Sequence, residues 1–409
     1  MNTNEVFHAY ERRFAKVMSE IPVRKPWLEK DREKIISATK KCLGIKDEWI
    51  PEIKAETLRT VKGEGFSIDF IKFESWKSTV GTAHIYKPEI PAGEKAPLVI
   101  LCCGHGANGK LCPGYQAMAR RLAKQGAMVI VPDNIGQGER VPMGHSGPVI
   151  PFACGMSVQG LIVMETLAWL EWAKKNPLVD KSRLAAIGNS GGGTLTMFLA
   201  ALGKGLSAIS SSGYPNTFEF IARKEKKHCH CNILPGIVGR LEMWELYGVF
   251  APNKLMLFQG LEDSLFPADI FYSTARKVKS VYEEMNAAGA FCFEVMPGKH
   301  PWNNDKRFLI SSFLAEALKL RPSENLEKDD KCLMGEEEKC LEKWPENALS
   351  ADDIARNLSG LNPPDSLKLS DVYPPNPMPE EISQVSSRGD TMQILAQFEC
   401  FLSDGKKII

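Results

Sequence analysis

Apolar residues along the chain follow two periods, and the change from one to the other marks out its parts. From Glu5 to about Leu43 they recur every three or four positions among charges, the spacing of amphipathic helices, with breaks at Pro22 and Pro26. From Phe66 to Tyr86 the period falls to two, and FSIDFIKFES followed by TVGTAHIYKP reads as two antiparallel strands. Short apolar runs then alternate with helical stretches. LVILCC, AMVIVPD, RLAAIG, LSAISSSG, KLMLFQG and FCFEVM read as buried strands. Helices are predicted at Tyr115 to Gln125, Ser157 to Lys175, Thr194 to Leu202, Ala268 to Ala288 and Asp305 to Leu320. This alternation predicts an α/β fold, a mostly parallel central sheet with helices on both faces. Ligands of such sheets bind beyond the carboxyl ends of the strands, so the chemistry is sought in those loops.

Two segments break the rhythm. Tyr214 to Pro252 is a long excursion between strands containing KEKKHCHCNILPG, and residues 214–252 are read as a cap-like insertion roofing the sheet edge. Beyond Pro322 the chain turns acidic (EKDDKCLMGEEEK) and then proline-rich (YPPNPMPEE), with no repeats or sustained heptads. It reads as short helices and loops, partly mobile. Three parts result: an N-terminal helical segment over 1–60, an α/β domain over 61–320, and an extension of unknown role over 321–409. RPSENLEKDDK has the character of a break between domains, so a chain ending near Ser323 is expected to keep fold and activity.

Composition narrows the class. The chain has 409 residues, 44% hydrophobic and 25% charged, with a formal net charge of +1, enough to bury a large core. Near-neutral balance leaves no electrostatic footprint for nucleic acid or an anionic membrane. No apolar run approaches the roughly 20 residues of a membrane span, and MNTNEVFHAYERRFAKVMSE has no apolar signal core. The eleven cysteines are odd in number and dispersed, several of them in apolar strands. A reduced, cytoplasmic protein is expected rather than a disulfide framework.

The densest chemical signal is AAIGNSGGGTL, where four glycines surround Ser190 between a strand and a helix. Gly188-Asn189-Ser190-Gly191-Gly192 is the G-x-S-x-G nucleophile elbow, a strained turn that lifts the serine hydroxyl above the sheet. The following helix points its positive end at the place where an oxyanion would develop. In this arrangement a carboxylate and then a histidine follow the serine in the chain. His228, His230 and His300 lie beyond Ser190. His300 follows FCFEVM through PGK, whereas His228 and His230 precede the strand that should carry the acid. After KLMLFQG come Glu262 and Asp263, with Asp269 farther off; Asp263 is chosen and Glu262 is its rival. The oxyanion donors would be the backbone N–H of Gly191 and that of His105 or Gly106, in the loop CGHGANGK. The His105 side chain as a base or metal ligand is set aside, because it precedes the serine.

HCHC, His228 to Cys231, raises the question of zinc. In an extended segment alternate residues face opposite sides, so all four cannot reach one ion. No second CxxC or HxxxH pair completes a tetrahedron. No metal and no cofactor are expected, and the segment is read as a structural or substrate-lining loop.

With these motifs the chain resembles the α/β-hydrolases, and more narrowly the acetyl xylan esterase and dienelactone-hydrolase-like branch. The resemblance runs from about Arg32 to Leu320. It rests on FSIDFIKFES followed by TAHIYKP, GHGANGK, VPDNIGQGER, GNSGGG, NILPGI, GLEDSLFP and GKHPW. It implies Ser190, Asp263 and His300 as the triad and an Asp133 to Arg140 loop bordering the active site. Asn189, Asn134, Glu139 and Trp302 would then line the substrate. Relatives often place a His-Gly pair at the end of the third strand, where this chain has Cys103-Gly104, which shifts the donor without removing it. The expected protein is a serine carboxylesterase for small acyl, especially acetyl, esters such as acetylated sugars, with a small-molecule substrate and no nucleic-acid or membrane partner. A peptidase or amidase of the same fold, or a binding protein on a hydrolase scaffold, are the alternatives. Oligomeric state is not legible.

Overall fold

The computed structural model describes residues 3–21, 31–106, 108–322, 338–375 and 389–403. Among them nine strands form one sheet in the order β1-β2-β3-β5-β4-β6-β7-β8-β9. They are β1 Lys54–Gly63, β2 Phe66–Glu74, β3 Gly81–Pro88, β4 Ala96–Cys102, β5 Met128–Pro132, β6 Val179–Asn189, β7 Leu206–Ser212, β8 Lys254–Gly260 and β9 Phe291–Met296. The pairings β1–β2, β2–β3 and β3–β5 are antiparallel. Every pairing from β5 across to β9 is parallel. The α/β architecture expected from the alternating pattern is the one observed.

Period-two geometry explains how the inner strands bury both faces. Leu98 and Ile100 of β4 pack into one cluster with Leu161 and Phe198, from the helices Val158–Lys175 and Gly191–Leu202. Their neighbours Val99 and Leu101 face the other way, onto Met118 and Leu122 of Pro113–Lys124 and Ile310 and Leu314 of Asn304–Leu318. A continuous apolar run thus serves two helix layers at once. Helix ends follow local chemistry. Ser157 caps Val158–Lys175 by accepting the Gly160 N–H at 2.9 Å. Ala268–Glu284 stops short of the expected Ala288, and Asn286 just beyond it has a left-handed φ of 54°.

β1 was not expected, since residues 1–60 read as helical. All ten of its residues are exposed, so no alternation of apolar residues betrays it. It pairs only with β2, at the sheet's edge, and its lysines, arginine and glutamate suit an edge that resists further pairing. The expected helices of the N-terminal segment are Thr3–Glu20 and Arg32–Leu43; Pro22 and Pro26 lie outside the described residues.

The extension packs more deeply than its composition suggests. Ala351, Ile354, Leu369, Val372, Leu395, Phe398 and Phe401 share one buried cluster with Phe152, Trp244 and the sheet. The 214–252 insertion donates to it through the backbone, from Gly236 N–H to the Cys400 carbonyl (2.8 Å) and from Val238 N–H to that of Phe401 (3.2 Å). Helix Gly389–Leu402 meets Thr3–Glu20, where Phe398 lies 6.0 Å from Tyr10 and 6.5 Å from Phe14, ring to ring. Arg13 and Glu399 pair beside them. Most of RPSENLEKDDK falls in 323–331, outside the described residues. No helix among the described residues is long and apolar enough to cross a membrane.

Candidate active site

The sheet brings its chemistry to the carboxyl ends of β4, β6, β8 and β9. β6 ends at Asn189 and the helix Gly191–Leu202 begins two residues later, leaving Ser190 at φ 60° and ψ −121°. A non-glycine residue held there costs about 1–3 kcal/mol, which surrounding structure must sustain. The crossing is tight. A β-carbon on Gly188 would stand 2.2 Å from the Gly192 carbonyl oxygen, and one on Gly192 would stand 2.0 Å from that of Cys102. The glycines are therefore what allows strand and helix to pass while the serine is lifted.

After β9, the turn through Gly298 delivers His300, whose Nδ1 lies 2.7 Å from Asp263 Oδ2. Asp263 follows β8 and accepts the Leu265 and Phe266 amides at 2.8 and 3.2 Å on Oδ1, and the Gln259 amide at 2.6 Å on Oδ2. Burial would raise its carboxyl, but the His300 and backbone hydrogen bonds outweigh that and hold it below the usual carboxylate value. Of the two rivals, Asp263 meets the histidine. Glu262 is exposed, and its backbone N–H donates to the Gly298 carbonyl. With Nδ1–H donated to Asp263, His300 Nε2 keeps its lone pair, and it is buried with no partner among the described residues. Phe266 stacks on the imidazole at 5.7 Å and 22°. Ser190 and His300 meet around Gly213: a β-carbon there would stand 3.1 Å from the Ser190 nitrogen and 2.9 Å from His300 Cε1.

The loop after β4 flanks the same point. A β-carbon on Gly191 would lie 3.4 Å from the His105 backbone nitrogen, so these two N–H groups share one corner. Gly104 N–H is already donated to the Tyr115 hydroxyl at 2.7 Å. Nothing lies within 4 Å of where a Gly106 β-carbon would be, so His105 is the better-placed of the two donors considered.

The four residues expected to line the substrate each hold a hydrogen bond inside the protein. Asn189 accepts from Ser212 Oγ (2.8 Å) and donates to the His300 carbonyl (3.3 Å). Trp302 Nε1 donates to that same Ser212 hydroxyl at 2.9 Å. Asn134 donates to the Cys103 carbonyl at 3.0 Å and so holds the loop after β4. Glu139 takes the Cys340 and Leu341 amides at 2.9 and 2.8 Å and pairs with the fully buried Lys110. Their polar groups are hydrogen-bonded within the protein. The Asp133 to Arg140 loop is likewise a brace: Arg140 forks onto Glu165 at 2.6 and 2.9 Å, and Asp133 pairs with Lys110 at 2.5 Å.

HCHC divides as alternation requires. His230 Nδ1 donates to the Pro148 carbonyl at 2.8 Å, and the His228 ring lies edge-on to Phe401 at 6.0 Å. Burial pushes the His228 imidazole down to about 4. Cys229 and Cys231 turn the other way, to His105 and His145. The premise that no second pair exists holds for local sequence and fails in space, since His105 and His145 arrive from two separate loops. His145, Ser212, Gly213, Gln259 and Phe266 went unnoticed in the sequence. Only position after a strand could have flagged Ser212 and Gly213.

Residues 64–222 match the family model of acetyl xylan esterase (AXE1). The chain has the α/β-hydrolase fold, and over these residues it is similar to the acetyl xylan esterases. By that match this α/β-hydrolase is a carboxylic ester hydrolase. Among solved structures, methylesterase BT1017 superposes with a TM-score of 0.66 at 21% identity, covering 86% of this chain and 78% of its own. A glucuronoyl esterase from Solibacter usitatus reaches 0.56 at 13% identity over 73% of this chain and 98% of its own. In sequence, YtaP of Bacillus subtilis (strain 168), designated a hydrolase, is 21% identical over 257 residues, 60% of this α/β-hydrolase and 85% of YtaP.

Proposed function

We propose that this ester hydrolase cleaves small acyl esters, acetyl esters of sugars foremost, through an acyl-enzyme on Ser190. The observation that carries the reading is the 2.7 Å bond from His300 to Asp263, with an Nε2 that has no partner among the described residues and a serine held at φ 60° across Gly213 from the ring. Nε2 takes the hydroxyl proton as Ser190 Oγ attacks the ester carbonyl, and Asp263 stabilises the imidazolium that forms. The carbonyl oxygen, now charged, accepts the N–H groups of Gly191 and His105. His300 then protonates the departing alcohol, and a water activated by His300 releases the acid. The acyl preference rests on the acetyl xylan esterase match over 64–222. Ten described cysteines are free, which suits the reduced cytoplasm we assign to it.

The test is a panel of p-nitrophenyl acetate, longer p-nitrophenyl esters and aminoacyl-p-nitroanilides, run with wild type and Ser190→Ala. The acetate should be cleaved best, and the variant should lose on the order of 10³-fold or more in kcat. A fluorophosphonate should label wild type alone. Labelling that persists in Ser190→Ala removes this serine from the mechanism, and faster anilide cleavage makes the protein an amidase.

A further inference from the structure

Four side chains outside the Ser190, His300 and Asp263 group converge on one point: His105, His145, Cys229 and Cys231. One ligand atom from each lies within 4.8 Å of all the others. His105 Nε2 is 2.8 Å from Cys231 Sγ, and the two sulfurs are 3.2 Å apart. His105 comes from the loop after β4, His145 from the stretch before helix Ile150–Ala153, and the cysteines from the 214–252 insertion. We propose that these four side chains bind one zinc ion, and that the ion clamps the insertion to the loop carrying the His105 N–H.

The donor set selects the metal. Two thiolates with two imidazoles suit a tetrahedral zinc ion, whose bonds of about 2.3 Å to sulfur and 2.0–2.1 Å to nitrogen put neighbouring ligand atoms roughly 3.3–3.8 Å apart. The observed separations of 2.8 and 3.2 Å, with none beyond 4.8 Å, bracket that range. Side-chain rotations moving atoms by about 1 Å close the tetrahedron. The surroundings fit as well. A ligating histidine commonly gives its other nitrogen to a carbonyl, which fixes the tautomer. His145 Nδ1 donates to the Ile135 carbonyl at 2.8 Å, leaving the lone pair on Nε2. The Gln137 amide stands 2.9 Å from that Nε2, while Gln137 Oε1 is buried without a partner among the described residues. An ion taking the Nε2 lone pair frees this amide to turn and satisfy its oxygen. Binding releases the two thiol protons to solvent and leaves both sulfurs as thiolates.

All four positions of the tetrahedron are filled by protein, the mark of a structural ion rather than one that activates water. Its influence on the reaction passes through His105. The imidazole Nδ1 lies 2.6 Å from where a Gly191 β-carbon would be, so the ring is laid against the residue that follows the nucleophile. Fixing that ring fixes both oxyanion N–H groups relative to each other. This second half rests on the esterase reading, whereas zinc binding does not.

The experiment uses the full chain purified under reducing conditions from zinc-supplemented cells. Elemental analysis should find about one zinc per chain in wild type and in Ser190→Ala alike. After chelation, cobalt(II) titrated into the apoprotein should give thiolate-to-cobalt charge-transfer bands and the visible bands of tetrahedral coordination. Cys229→Ser and Cys231→Ser should each weaken zinc at least about tenfold, with folding checked by circular dichroism. Should a variant fail to fold, the wild-type cobalt titration decides. Below about a tenth of a zinc per chain, with both thiols titratable and no charge-transfer band, the site is refuted. So it is if peptide mass mapping finds a Cys229–Cys231 disulfide in the purified protein. Zinc-free, folded wild type should lose kcat on p-nitrophenyl acetate with KM little changed, and regain it with zinc. An unchanged kcat overturns the coupling to His105 while leaving the metal count to stand or fall alone.

Discussion

Replacing Asp263 by Asn swaps one carboxylate oxygen for an NH₂ group, and its neighbours determine which one. Oδ1 receives two backbone amides, from Leu265 and Phe266. Turning the NH₂ towards them would face two N–H donors with a third, leaving the buried Phe266 N–H unpaired at about 1–3 kcal/mol. The NH₂ therefore takes the Oδ2 position, facing His300 Nδ1 and Gln259 Nε2. Gln259 escapes by rotating its amide, because its Oε1 has no partner, although its bond to the Phe266 carbonyl is lost. His300 can meet the new donor only by accepting on Nδ1, which moves its proton to Nε2. A protonated neutral Nε2 cannot take the serine proton. The expected loss in kcat is on the order of 10²–10⁴-fold, or about 3–5 kcal/mol in activation free energy. Stability should change little near neutrality but differently in acid. The wild-type carboxyl sits below its unfolded value, so it contributes stability above about pH 3.9 that is lost as pH falls through the folded value. The Asn variant lacks that portion of the acid loss. The assay is steady-state turnover of p-nitrophenyl acetate beside Glu262→Gln, with acid unfolding followed by circular dichroism. Asp263→Asn within about threefold of wild type, or Glu262→Gln as the more damaged of the two, refutes this account of the acid.

Two further outcomes follow from close contacts. Gly213→Ala adds a β-carbon 2.5 Å from Asn189 Oδ1 and 2.9 Å from His300 Cε1 at a φ of +63°, so it should lower kcat by at least about tenfold in a folded protein; unaltered kinetics would mean the ring has slack that the structure does not show. A chain ending near Ser323 should be insoluble or unfolded, contrary to the expectation from sequence, because Ile354, Leu369, Val372, Leu395, Phe398 and Phe401 are all buried. At about 1.5–3 kcal/mol each they match the roughly 5–15 kcal/mol of a whole domain, and a soluble, cooperatively melting truncation would show the extension to be dispensable.

What the sequence revealed depended on how local each signal was. The inner strands carry their apolar runs within a few residues, and the elbow packs strand, serine and helix into one stretch. Asp263 and Glu262 are adjacent, so only the turn of the backbone after β8 tells which one faces His300. β1 is charged and exposed on both faces, which removes the alternation by which a strand is recognised. Asn134 and Glu139 lie in a loop near the site, and loop membership says nothing of where a side chain points. The His105, His145, Cys229 and Cys231 group is spread over three segments, so no spacing rule could find it. The extension hides its role similarly, since short apolar clusters look weak until Gly236 and Val238 are seen beside them.

The meeting of Thr3–Glu20, the 214–252 insertion and Gly389–Leu402 also sets a timetable for the chain at birth. At about 5–20 residues per second, a ribosome needs roughly 8–30 s to travel from Val238 to Phe401. Once they clear the exit tunnel, Gly236 and Val238 wait out the rest of that interval without the Cys400 and Phe401 carbonyls that finally accept their N–H groups. Tyr10 and Phe14 wait longer still for Phe398. A nascent chain thus holds uncovered apolar surface on Thr3–Glu20 and unpaired backbone in the insertion until Gly389–Leu402 has been made. A chain cut before Gly389 would keep that surface uncovered.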